Sequence, residues 1–153
     1  MPKGKQATTA DAQALMQLYD LRREPAMRAA RKYMVSDFWP QSYEEFRTLM
    51  FDFGSERNAF ARQCLTYWDM AAAMVLHGAI HEELFYAANG EPYFLIAKFG
   101  AYISKLRQEM PTADFLIHLE QLAKRGKGKQ RVKQQQEWMA KRRATVSRAA
   151  QQS

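Results

Sequence analysis

Along residues 55–77 apolar side chains return every three or four positions. Phe60, Cys64, Trp68, Ala71 and Val75 mark the stripe, with Tyr67 and Met74 beside it. That spacing matches the period of an α-helix and excludes a strand, whose side chains alternate with a period of two. A stripe so broad has to be covered, and a long helix is covered most simply by other helices. The remaining segments supply them.

Residues 11–23 form a first helix with Leu15, Leu18 and Arg22 on one side. Pro25 suits the first position of a second, because its missing N–H needs no partner there. Met27, Ala30, Met34 and Phe38 are its stripe, and Trp39-Pro40 stops it, since the residue before proline is pushed out of the helical region. Ser42 and Glu45 have the spacing of a capping box ahead of Phe46, Leu49 and Met50. Ser55 is an N-cap for the central helix. Further helices cover residues 82–88, 92–110 (Leu95, Phe99, Tyr102, Leu106) and, capped by Thr112, a segment with Phe115, Leu119 and Leu122. Ala97, Gly100 and Ser104 make a line of small residues, and the cost of Gly100 in a helix, about 1 kcal/mol against alanine, suggests close approach of a neighbour. The expected fold is all-α, a compact bundle of six or seven helices, with residues 1–10 a flexible N-terminus, 11–125 the helical domain and 126–153 a basic tail, helical or disordered.

Charge divides the chain sharply. Residues 124–153 hold ten Lys and Arg against one acid, Glu137, a net +9; residues 1–123 hold thirteen against fifteen, a net −2. The whole excess of +7 therefore belongs to the tail. "KRGKGK" at residues 124–129 reads as a glycine-bearing linker, and residues 130–152 as a polar, basic helix. Val132, Met139 and Val146 are spaced by seven, but Gln135, Gln136 and Arg143 lie between, too thin an apolar face for a membrane surface. No apolar run reaches the roughly 18 residues of a membrane span, and the first residues lack the apolar core of a secretory signal. A single cysteine, Cys64, rules out an intrachain disulfide and fits a cytoplasmic setting.

Two features invite a chemical reading. His77 and His81 are four apart, the spacing of two metal ligands on one helix. Gly78 intervenes, however, and a glycine after a long helix takes the left-handed C′ position with Ile80 as its apolar contact, which places the histidines on different elements. No metal or cofactor is expected. Asp69 shares its helix face with Leu65, Ala72 and Leu76, so it borders the apolar stripe and needs a partner. Arg107 and Arg22 are the expected partners in a structural ion pair; a small-ligand site or catalytic centre around Asp69 is the alternative. His118 has no ligand pattern around it. No phosphate-binding glycine loop, nucleophile elbow or cysteine cluster occurs, and no catalytic residue is expected.

The run "LRREPAMRAARKYM", then "SYEEFR", "RQCLTYWDMAAAMVLHGAIHEELFY", "KLRQEMP" and "FLIHLEQLAKR" resembles a group of small bacterial all-helical domains of unknown function. The resemblance covers about residues 18–125. It implies a helical domain without an established reaction, in which Asp69 stands where the group often has glutamate. The basic tail lies outside it.

Three functions follow as expectations. The first is a non-enzymatic regulatory or protein-interaction domain with an unknown protein partner. The second is nucleic-acid binding by the tail, with Lys124, Arg125, Lys127, Lys129, Arg131, Lys133, Lys141, Arg142, Arg143 and Arg148 for phosphates and Trp138 for stacking on a base. The third is chemistry around Asp69.

Overall fold

The computed structural model describes residues 6–152. Seven α-helices make the body: α1 (Thr9–Arg23), α2 (Pro25–Lys32), α3 (Tyr43–Phe51), α4 (Glu56–Leu76), α5 (Glu82–Ala88), α6 (Glu91–Arg107) and α7 (Ile117–Ala123). An eighth, α8 (Gly126–Gln152), lies across α6 and α7. No strand occurs among the described residues.

Residues 1–5 of the expected flexible N-terminus lie outside the described residues. Within the rest of it, Thr8 caps α1 reciprocally with Asp11, so the helix starts two residues before the expected residue 11. Asp11 also accepts the backbone N–H of His81 at 2.9 Å, which ties the start of α1 to the start of α5. Ser42 accepts from the Glu45 amide as expected, but the Glu45 carboxylate reaches the Gln41 amide (2.8 Å), one residue outside the standard box.

The core forms around α4, which packs on α2, α3 and α7. Cys64, Leu65, Trp68, Ala71 and Ala72 of α4 are fully buried, against Met34, Phe46, Phe85, Leu95, Phe99 and Leu119. Trp68 is 1% exposed. Its indole N–H donates to Glu91 Oε1 (3.0 Å), and the Arg31 guanidinium grips the same carboxylate at 2.6–3.0 Å. One buried aromatic thus joins α4, α6 and α2 through a satisfied polar node.

Three local expectations are corrected. The second helix does not run smoothly to Phe38: it widens into a π-helical turn at Tyr33–Asp37, closed by the Phe38 amide on the Tyr33 carbonyl (2.8 Å). Thr112 does not cap α7, which begins five residues later behind Leu116, a left-handed residue with φ 56°. The close approach expected at Gly100 falls at Gly128 instead. A cavity of about 210 Å³ lies beside Gly100, whereas a Cβ on Gly128 would stand 2.6 Å from the Tyr93 ring.

Candidate functional site

The segment "KRGKGK" is not a linker. Only residues 124–125 break the helical path, and Gly126, at φ 46°, turns the chain directly into α8. The bare backbone of Gly128 lets α8 settle on Tyr93. Arg131 then fastens it. Its guanidinium lies 3.6 Å from the Tyr86 ring centroid and donates to the carbonyls of Tyr86 (2.8 Å) and Asn89 (3.2 Å), left free where α5 ends. Val132 packs on the core alongside. The first third of the tail is therefore part of the body.

This divides the ten tail cations into two groups. Lys124 pairs with Glu120 (2.7 Å) and Arg125 with Glu82 (3.0 Å), both with more than half of the side chain still in solvent, and Arg131 is bound as described. The other seven, Lys127, Lys129, Lys133, Lys141, Arg142, Arg143 and Arg148, are exposed. Lys133, Lys141 and Arg148 recur at steps of eight and seven, so they share one outward face about 22 Å long at 1.5 Å per residue. Trp138 is 47% exposed, with the Arg142 guanidinium 5.5 Å from a ring centroid.

On the inward side, the far half of α8 stands off the body. A cavity of about 400 Å³ separates it from the connection at residues 39–41, lined by Trp39, Gln41, Met139, Arg142, Arg143 and Val146. A second, of about 160 Å³, shares Trp39, Met139 and Arg143 and ends at Lys98 and Tyr102. The Lys98 ammonium sits 3.7 Å from the Trp39 ring centroid and donates to the carbonyls of Met34 (2.8 Å) and Val35 (3.3 Å), which the π-helical turn presents to it. Burial pulls Lys98 down to about 7, with Cys64 and Asp37 only partly offsetting it.

Residues 7–126 match the family described as a domain of unknown function, DUF4760. The chain belongs to that family. No curated protein and no solved structure matches it. The DUF4760 match agrees with the resemblance read from the sequence and extends it at the N-terminal side. It ends at the first residue of α8, so it takes in the seven-helix body, while all seven exposed cations lie beyond the DUF4760 region.

Within the DUF4760 body, Asp69 meets neither of its expected arginines. Its Oδ1 accepts the Leu119 amide (2.9 Å), and its Oδ2 lies 3.2 Å from His118 Nδ1. The His118 ring is 6.3 Å from that of His77. Arg107 is buried against Glu120 and donates to the Phe115 carbonyl (2.9 Å). Arg22 donates to Asn89 Oδ1 (2.6 Å) and stacks over Trp68. His77 ends α4 and His81 caps α5 through Nδ1 on the Leu84 amide (3.2 Å), with Gly78 at φ 80° between them, the arrangement read from the glycine. Cys64 is buried and its thiol is pushed up by desolvation. Among the described residues no cluster of His, Cys, Asp and Glu has the geometry to hold a metal, and no helix is long and apolar enough to cross a membrane.

Sequence reasoning missed Trp39 and Lys98. Trp39 served only as a helix stop. Lys98 had a visible signal, since it is the single cation in the apolar run from Tyr93 to Ile103.

Proposed function

We propose that the chain is a non-catalytic helical domain of the bacterial cytoplasm that binds nucleic acid through α8. The observation that carries this reading is the split of the tail cations: three are engaged by the body, and seven stand exposed along a helix whose first turns the body fixes. A body of net −2 adds no competing field of its own. A basic helix that is already formed pays less ordering entropy on binding and contacts phosphates without reading bases. Support for a non-catalytic body comes from Asp69, whose two oxygens face the Leu119 amide and His118.

Anisotropy of a labelled duplex across a salt series tests it. Four to six engaged cations give a slope of log affinity on log salt between about −3.6 and −5.4. Replacing Lys133, Lys141 and Arg148 together by Gln makes the slope shallower by about 2.7 and leaves the melting temperature unchanged. A triple variant that binds like the parent overturns the proposal. Deleting the tail is the poorer test, because it also removes Arg131 and Val132 from the body.

A second reading, a regulatory domain docking a protein partner, is favoured by α1, where Met16, Tyr19 and Leu21 are 63%, 43% and 55% exposed. Substitution of these three by Ser would then remove a protein partner and leave nucleic-acid affinity untouched.

A further inference from the structure

We infer that the groove between residues 39–41 and α8 receives one unpaired nucleotide of a single strand, with its base against the Trp39 ring and its phosphate on Arg142 and Arg143. The inference rests on the proposed binding of nucleic acid by α8 and names the substrate class.

Trp39 is held as a platform. Its indole N–H donates to the Ser36 carbonyl (2.9 Å), its ring stands perpendicular to that of Phe94 with centroids 6.2 Å apart, and one face is covered by the Lys98 ammonium. The rest of the ring lines the 400 Å³ cavity, within the roughly 300–1,000 Å³ of ordinary ligand pockets. A ring locked on three sides loses no rotamer freedom when a base stacks on it.

The lining sets the chemistry of the occupant. Neither cavity is lined by an acid, and Arg142 and Arg143 bring two fixed positive charges. Two guanidinium forks suit phosphate oxygens. Gln41, Gln136 and Ser147 supply donors and acceptors for a base edge, which an acyl chain would leave unpaired. The apolar lining of the larger cavity is one indole, one methionine and one valine, short for an acyl chain and sufficient for a base. Duplex bases are already stacked and offer no free face, so the groove discriminates for single strands.

The test measures a labelled oligothymidylate of about ten nucleotides, a site size typical of single-strand binders, and a duplex in parallel, on full-length parent, Trp39→Leu and Trp138→Leu. Trp39→Leu is expected to weaken single-strand binding by about 5- to 150-fold, the value of one base–aromatic stack, and to leave duplex binding within twofold. Trp138→Leu is expected to have the smaller effect. Single-strand affinity unchanged in Trp39→Leu, with duplex binding intact, overturns the groove and spares the proposed function. A parent that binds neither probe overturns both. Loss confined to Trp138→Leu, or displacement of the oligonucleotide by laurate but not by thymidine monophosphate, also overturns the groove. Should Trp39→Leu fail to fold by circular dichroism, the double variant Arg142→Gln, Arg143→Gln decides: a loss of single-strand affinity larger than the loss on duplex supports the inference, and an equal or smaller one rejects it.

Discussion

Asp69 caps a helix to which it does not belong. It lies on α4, yet its Oδ1 accepts the amide of Leu119 in the first turn of α7, at 2.9 Å. The residue at the head of α7, Leu116, has no side-chain acceptor and sits at φ 56°, a conformation that leucine seldom adopts. A carboxylate on a neighbouring helix thus supplies both the acceptor and the negative charge that a helix N-terminus favours. Asp69→Ala should cost about 1–2 kcal/mol in urea unfolding, the range for loss of an N-cap. Asp69→Asn, which keeps an acceptor, should cost less. Equal losses in the two variants would show that the charge, not the cap, carries the effect.

Lys98 predicts a pH dependence. Burial pulls its pKa from the usual 10.5 to about 7 in the folded chain. Between those values the unfolded chain binds the extra proton, so stability rises with pH from about 7 towards 10. Tyr93, pushed up to about 12 by burial, acts oppositely above pH 10, where the unfolded phenol ionises first. Urea midpoints from pH 7 to 8 report the lysine, because nearer pH 9 the unfolded Cys64 thiol ionises before the buried one and opposes the rise. Lys98→Met keeps the stem and should flatten the rise; a parent midpoint that does not move with pH would refute the assignment.

Gly128→Ala decides whether α8 depends on close approach. Alanine gains about 1 kcal/mol of helix propensity, but its Cβ would stand 2.6 Å from the buried Tyr93 ring. Overpacking of a filled contact typically costs about 1–3 kcal/mol, so the net effect should be loss. Limited proteolysis at Lys133 and Arg131 reports it directly, with faster cleavage in the variant.

Trp68→Ala should leave the domain barely folded. Removal of a buried aromatic costs about 3–5 kcal/mol, and here Glu91 also loses its indole partner at 3.0 Å. Trp68→Phe retains most of the volume and should fall between the two. Thermal melts followed by circular dichroism give the order.

How much of this was legible in the sequence depends on the range of the interaction. Local rules placed what local chemistry decides. Ser55, Pro25 and Gly78 stand where capping and φ preferences put them, and the stripe through Cys64 and Trp68 faces the core. Asp69 was correctly read as needing a partner, but its partner lies 50 residues away on an element whose start was misplaced. Thr112 was read as the cap of the last core helix, although the true cap comes from another helix. Gly100 and Gly128 differ only in what packs over them, which no spacing shows. The π-helical turn has no sequence period of its own, so the carbonyls that hold Lys98 were invisible.

Gly128 and Arg131 also bear on where this domain ends. The family match ends at residue 126, yet the side chain that covers Tyr86 and closes the end of α5 comes from residue 131. The family match and the packed body therefore have different edges. A change in the segment after the corner, even one aimed only at its charge, can thus be felt as a change in the stability of the whole.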